Sequence, residues 1–357
     1  MLNRVPQPPH WKVNPDESPG WVEAMKQCPQ HPDHHGEGDV WTHTRMVLEC
    51  LVADPEFRQL GESDRRILYV AGLLHDIAKP ACTQPDLGSP GHARKGSQQA
   101  RQLLYRAGLP WQEREAVCNL VRHHMVPYRL VDRPDWQTQL LALCLTTRWD
   151  WLRLLSRADA RGRICSDQSW LLDQIEMFSQ LAQENPPRFA DDHSRVTYFR
   201  KGGDPDRQVF DTCTCTVVLT SGLPAAGKDY YLSQHLSQLP MISLDALREE
   251  LDVRPDQGQG PVLQAARERA RQLLRARKSF VWNATNLSFP LRERTLSLCH
   301  DYGARLSMVY CEAPLEEIER RNAARPRPVP TRVLERMMEL WEPPNLTEAH
   351  QITYQCS

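Results

Sequence analysis

The chain carries almost no net charge: 44 Lys and Arg stand against 45 Asp and Glu over 357 residues, a balance of −1. Bulk attraction to a polyanion is therefore excluded, and any nucleic-acid contact must come from local basic groups. From residue 206 onward the balance is again even, 19 basic against 19 acidic residues, so the second half is no cationic arm. No apolar run is long enough to span a bilayer. Residues 1–13, MLNRVPQPPHWKV, hold no apolar core of signal-peptide length. The expectation is a cytoplasmic protein without a membrane partner. A cysteine framework is also lacking. The 11 cysteines are odd in number and scattered, several inside apolar runs (Cys50, Cys118, Cys144, Cys299, Cys311), as reduced thiols would be. Cys213 and Cys215 are one residue too close for a CxxC metal pair and open a β-rich run. Internal repeats are absent, and low complexity is confined to Arg-rich helix faces and Pro-rich turns.

What is present is ordinary soluble composition, 40% hydrophobic and 25% charged, in a chain long enough for two cores. Between residues 38 and 183 the apolar residues recur at three- and four-residue spacing, in segments 40–52, 64–78, 98–107, 113–125, 138–159 and 168–183. That predicts an all-α bundle. The polar stretch 191–211, with Lys201-Gly202-Gly203-Asp204-Pro205, reads as a linker. Beyond it, strands at 214–220, 241–243, 280–283, 305–311 and 351–354 alternate with helices, which predicts a parallel sheet covered on both faces. The expected domains are 1–205, with its core at 38–183, and 206–357.

The helical half places His43, His75, Asp76, His92, His124 and Asp159 on successive segments. Neighbours on a helix point about 100° apart, yet His75 and Asp76 close theirs and can converge on one ion beyond its end. Imidazole nitrogen with carboxylate oxygen suits a transition ion such as Mn, Zn, Ni, Co, Cu or Fe rather than calcium. Such ions lower the pKa of water that they hold and neutralise phosphate charge. Singly, each histidine is an ordinary polar or core residue; the weight lies in the ordered set. Lys79, Lys95 and Arg163 stand near it as candidate phosphate clamps or plain surface residues. His123 adjoins His124, but the apolar stripe Val117, Leu120, Val121 puts His124 on the inward face.

In the second half, Gly222-Leu223-Pro224-Ala225-Ala226-Gly227-Lys228 lies between an apolar strand and a helix. That is the spacing of a phosphate loop, in which backbone N–H groups and Lys228 surround the phosphates of ATP or another NTP with Mg²⁺. Asp229 stands where Ser or Thr usually holds the Mg²⁺, and Asn283 where a strand-end acid is common. A carboxylate also binds Mg²⁺, so the loop can survive the exchange. Asp245 and Arg248, one helical turn apart after the second strand, suit a general base and a clamp on the acceptor's phosphate; an N-cap with a helical ion pair is the plainer alternative. Arg321 and Arg325 flank a Pro-rich break, either as a solvated helix end or as a lid reaching the outer phosphates.

The series WTHT, LLHDIAKP, GHxxxG, VRHHM, SRADARGR over residues 38–165 resembles the HD phosphohydrolase superfamily, nearest to the HD domains of RNA-tail-adding nucleotidyltransferases. The resemblance implies His43, His75, Asp76 and Asp159 as ligands of a first ion, with His92 and His124 holding a second ion or the substrate phosphate. The loop, the DxxR pair, the ATN strand end and the RNxxR…VP segment over 210–345 resemble the phage-type polynucleotide 5′-kinase. It implies Lys228 on phosphate, Asp245 as base, Arg248 on the acceptor, and Arg321 and Arg325 as lid arginines. Together the halves resemble the bacterial HD-Pnk family of RNA end-healing enzymes. That family phosphorylates 5′-hydroxyl ends and removes 2′,3′-cyclic, 2′- or 3′-phosphates, so RNA ends (or DNA 5′-hydroxyl ends) and an RNA ligase are the implied partners. Two other functions fit the same residues: an HD nucleotidase fused to a small-molecule or nucleoside kinase, and an RNA-binding or nucleotide-sensing protein with a degenerate kinase half.

Overall fold

A computed structural model of the chain describes residues 20–254 and 257–356. The segment 1–13, read above for a signal peptide, lies outside them. The chain divides into two compact units, Met1–Pro187 and Arg188–Ser357. Among the described residues no helix is long and apolar enough to cross a membrane.

The first unit is helical throughout, as its spacing predicts. Helix Val40–Ala53 starts at Asp39, whose side chain accepts from the amides of Trp41 and Thr42, and its buried face runs Val40, His43, Val47, Leu51. Helices Glu62–Leu74, Trp111–His123 and Trp149–Arg161 contribute Leu68, Ala71, Val117, Val121, Leu152 and Leu155 to the same core. Two elements differ from expectation. The helix expected over 64–78 stops at Leu74, and a 3-10 turn follows at Lys79–Ala81. Pro80 accounts for this: it has no N–H, and in a continued helix its ring would meet the Asp76 carbonyl. The helix expected over 138–159 is two, Trp136–Thr146 and Trp149–Arg161, broken at Thr147 in extended conformation. The apolar spacing runs on through the corner because both helices bury a face.

In the second unit the strands are β1 (Cys215–Ser221), β2 (Met241–Ser243), β3 (Phe280–Asn283), β4 (Ala304–Glu312) and β5 (Gln351–Cys356). They form one sheet of order β2-β3-β1-β4-β5 with every pairing parallel. Val217 and Leu219 of β1, Trp282 of β3 and Met308 of β4 are buried, as in a sheet covered on both faces. Since β1 has β3 on one side and β4 on the other, its carboxyl end opens the crevice where such sheets bind ligands.

The segment expected as linker is different. Residues Asp192–Lys201 form a helix capped by Asp191, which accepts from Ser194 N at 2.7 Å. Its Val196 is fully buried in the second unit's core. Its Arg195 donates to the carbonyls of Leu346, Ala349 and His350 at 3.0, 3.2 and 2.8 Å. The units therefore part after Pro187, ahead of the boundary at 205 expected from composition. Buried arginine gave the helix the polar look of a linker.

Candidate functional site

In the first unit the site grows outward from Asp76, just past the helix Glu62–Leu74. Its Oδ2 lies 3.2 Å from His75 Nε2 and 3.9 Å from His43 Nε2. Its Oδ1 lies 3.4 Å from His92 Nε2 and 3.7 Å from His124 Nε2. His43 Nε2 also lies 3.0 Å from Asp159 Oδ1. All six residues predicted from sequence as ligands thus come together, from five segments of chain.

Local geometry fixes which nitrogen faces inward. The Nδ1 atoms of His75, His92 and His124 lie 2.7, 2.7 and 2.8 Å from the carbonyl oxygens of Gly72, Ser89 and Val121, each three residues back. A carbonyl only accepts, so each Nδ1 carries the hydrogen and each Nε2 turns a lone pair into the site. His92 Nε2 and His124 Nε2 face each other at 3.2 Å. His75 Nε2 and Asp76 Oδ1 are buried without a hydrogen-bond partner among the described residues. Lone pairs crowded this closely suit a cation between them, and imidazole nitrogen with carboxylate oxygen is a donor set that transition ions favour. Two triplets, His43-His75-Asp76 and Asp76-His92-His124, share Asp76, so the arrangement suits one ion or a bridged pair.

Apart from His75, the charges agree with that reading. Burial would raise the Asp76 carboxyl, but His75 and Lys79 beside it hold it well below the usual carboxylate range. Asp159, equally buried, is held low by Arg163 and His43. Burial pushes His124 down to about 3 and lowers His92, leaving both in the neutral form that a ligand needs. His75 goes the other way: against its burial, the Asp76 carboxylate raises it.

The expected phosphate clamps separate. Lys79 Nζ is buried, 2.8 Å from Asp76 Oδ2 and 2.5 Å from Gln30 Oε1. Arg163 is spent on Asp159, with Nε and Nη2 at 3.1 and 2.8 Å from its oxygens. Lys95 is exposed and donates to the Ala81 carbonyl at 3.3 Å. His124 is buried at the cluster, while His123 ends its helix half-buried.

Sequence reasoning missed the residues behind the ligands. The Glu37 side chain is buried with Oε1 2.8 Å from both His43 Nδ1 and His35 Nδ1, and its Oε2 accepts from Ile164 N at 2.9 Å. Burial opposes its charge, yet His35 and His43 hold the carboxyl far below its usual range. Glu37 thus faces the outer nitrogen of His43, as carboxylates behind metal-ligating histidines do. Tyr128 donates to Asp159 Oδ2 at 2.8 Å. The one sequence signal for Glu37 is the His- and acid-rich run 31–39 ahead of the helix.

A further cluster, His193, Cys213 and His350, lies in the second unit. His350 Nδ1 accepts from Leu306 N at 2.9 Å, so its hydrogen sits on Nε2, which points at His193 Nδ1 at 3.2 Å. With that tautomer fixed, His350 has no lone pair for an ion, and the cluster is a hydrogen-bonded clip.

The phosphate loop joins β1 to the helix Lys228–His235. Gly222 has φ +142°, and a Cβ there would run into the Cys311 carbonyl oxygen; Gly227 has φ +99° and begins the helix. Lys228 Nζ donates to the carbonyls of Gly222 and Leu223 at 2.9 and 2.7 Å. Burial lowers its ammonium to about 8, with Asp229 opposing. Ala226 is buried and Ala225 sits at φ +63°. Arg321 Nη1 donates to the Ala225 carbonyl at 3.4 Å. Arg325 is half-buried, close enough for its charge to help lower Lys228. Asn322 closes the turn that carries Arg325, its amide donating to Val329 O at 2.8 Å and accepting from Val329 N at 2.9 Å.

On the acceptor side, Asp245 pairs with Arg248, and Arg248 Nε donates to Gln259 Oε1 at 2.6 Å. Ser243, not Asp245, caps the helix Leu244–Glu250 by accepting from Ala246 N, so the Asp245 carboxylate stays open to solvent. Arg271 and Arg275 pair with Glu268 on an outer helix face, as a solvated row does.

With this geometry in hand, comparison with known proteins is direct. Residues 40–154 match the HD domain family. The first unit carries an HD domain. Residues 217–344 match an AAA domain family, whose phosphate loop is the one just described. The chain thus joins an HD domain to an AAA-family domain that carries a phosphate loop. Glu37, Asp159 and Arg163 lie outside the matched HD span. The multifunctional CCA protein of Halorhodospira halophila is 34% identical over 33% of this chain and 27% of its own length. That of Laribacter hongkongensis is 32% identical over 40% of this chain and 35% of its own. The chain therefore spans about a third of these relatives or less. A solved structure of a candidate kinase from Chloroflexus aurantiacus is 21% identical, covers 41% of this chain and 86% of its own, and has a TM-score of 0.33.

Proposed function

We propose that the protein heals RNA ends, its second unit phosphorylating 5′-hydroxyl ends and its HD domain removing 2′,3′-cyclic, 2′- or 3′-phosphates. The observation that carries this reading is the Asp245–Arg248 pair beside a phosphate loop, in a chain whose other unit holds a buried histidine–carboxylate cluster.

In the kinase step the loop amides and Lys228 hold the outer phosphates of ATP or another NTP, and Arg321 and Arg325 cover them. Asp245 takes the proton of the 5′-hydroxyl, whose oxygen bonds to the γ-phosphorus as the bond to the β-phosphate oxygen breaks and the diphosphate leaves. Arg248 holds the acceptor's neighbouring phosphate, which favours a polynucleotide over a free nucleoside. Without acceptor the two side chains neutralise each other; hydroxyl and phosphate would part them. Magnesium bound with the nucleotide supplies charge neutralisation.

In the HD domain, His43, His75, Asp76, His92, His124 and Asp159 would hold the metal, which supplies Lewis acidity toward water and phosphate. Lys79 places a buried ammonium at Asp76 and can turn to a phosphate oxygen. Arg163 and Tyr128 keep Asp159 aimed. The product ends, a 5′-phosphate and free 2′,3′-hydroxyls, are those that an RNA ligase joins.

The test is transfer of label from γ-phosphate-labelled ATP with Mg²⁺ to a 5′-hydroxyl RNA oligonucleotide, beside free nucleosides. Label is expected on RNA. Label on nucleosides alone, or none on RNA with any divalent ion, overturns the reading.

A further inference from the structure

P-loop enzymes commonly hold magnesium through a hydroxyl directly after the loop lysine and a carboxylate on a neighbouring strand. In this chain those positions are Asp229 and Asn283, so the acidic and the neutral group have changed places. They stand 54 residues apart in sequence, and the structure brings them into contact: Asn283 Nδ2 donates to Asp229 Oδ1 at 2.7 Å. A carboxylate oxygen only accepts, so the amide nitrogen must face it, which turns Asn283 Oδ1 to the Thr220 hydroxyl at 3.0 Å. Both polar atoms of Asn283 are thereby committed within the protein. Asp229 Oδ2 has no partner among the described residues, and Asp229 is exposed at the start of the helix that follows the loop.

We propose that Asp229 is the carboxylate that anchors the nucleotide's magnesium, and that Asn283 is a positioning residue that holds Asp229 by one oxygen and leaves the other for the ion. The pair keeps the usual formal charge, one carboxylate and one neutral group, with the roles exchanged between loop and strand. Oxygen donors are what magnesium requires, and one or two carboxylates with phosphate oxygens and water complete its shell. This rests on the nucleotide-binding reading of the phosphate loop.

The experiment is calorimetric titration of the full chain with a non-hydrolysable ATP analogue, with Mg²⁺ and with chelator in its place. Wild type is expected to bind in both, at least about fivefold more tightly with Mg²⁺. Asp229→Ala should keep the metal-free affinity, which also reports a folded loop, and lose the tightening. Asp229→Ser combined with Asn283→Asp should regain it. Full tightening in Asp229→Ala, or none regained in the double variant, overturns the exchange. Failure of wild type to bind the analogue under either condition overturns the phosphate-loop reading itself.

Discussion

In the first unit five of the six clustered side chains are sealed in: His43 and His75 are 0% exposed, Asp76, His124 and Asp159 1%. In the P-loop unit Asp229, Asp245 and Arg321 stand in solvent, while Lys228 is covered by the loop's own carbonyls. A buried cluster must be complete before anything binds, because unpaired lone pairs and charges in the interior are costly. An open cradle can wait, since water satisfies its groups and backbone geometry alone holds its shape. The first site is therefore sensitive to any missing ligand, and the second to the ligand that assembles it.

Removing the shared carboxylate tests this most severely. Asp76→Ala should abolish metal retention, read by elemental analysis, and reduce release of phosphate from 2′,3′-cyclic-ended RNA to background. Lys228→Ala should slow phosphoryl transfer by about a hundred- to a thousandfold while metal content stays unchanged. Were Lys228→Ala to strip the metal, the two sites would not be separate.

Glu37→Gln probes the support behind the ligands. It should weaken metal binding by about ten- to a hundredfold, measured against a competing chelator, without touching nucleotide affinity. Unchanged metal affinity would reduce Glu37 to a clamp for its loop.

The smallest effect is electrostatic. Burial pushes the Lys228 ammonium down to about 8 in the folded protein, against an ordinary 10.5. The unfolded chain thus binds the extra proton between these values, so stability should rise with pH across that window and stay flat below it. The gain is at most on the order of 3 kcal/mol and should be missing from Lys228→Met. Denaturant unfolding of both proteins from pH 7 to 10.5 reads the difference; parallel curves would contradict it.

Much of both sites was legible because their residues sit in motifs of fixed local spacing. The ordered histidines and aspartates, the Gly222–Lys228 loop and the Asp245–Arg248 turn all lie at element ends, where chain direction and chemistry coincide. The five strands were legible for the same reason, each a short apolar run between helices. What escaped was non-local. Glu37 belongs to no periodic segment, and its value comes from the chain folding back on Ile164. Asp229 and Asn283 each looked like a departure, and their contact exists only in the fold. The helix Asp192–Lys201 was hidden by Arg195, whose buried guanidinium serves three backbone carbonyls but reads as a surface charge. The corner at Thr147 left no trace because burial continues on both sides of it.

The two units should carry out two separate phosphate chemistries. The decisive substrate is a single RNA bearing a 5′-hydroxyl and a 2′,3′-cyclic phosphate, offered with ATP to wild type, Asp76→Ala and Lys228→Ala, with both ends followed. Wild type should convert both ends, Asp76→Ala the 5′ end alone, and Lys228→Ala the 3′ end alone. Loss of both conversions in either variant, or retention of both, would contradict it.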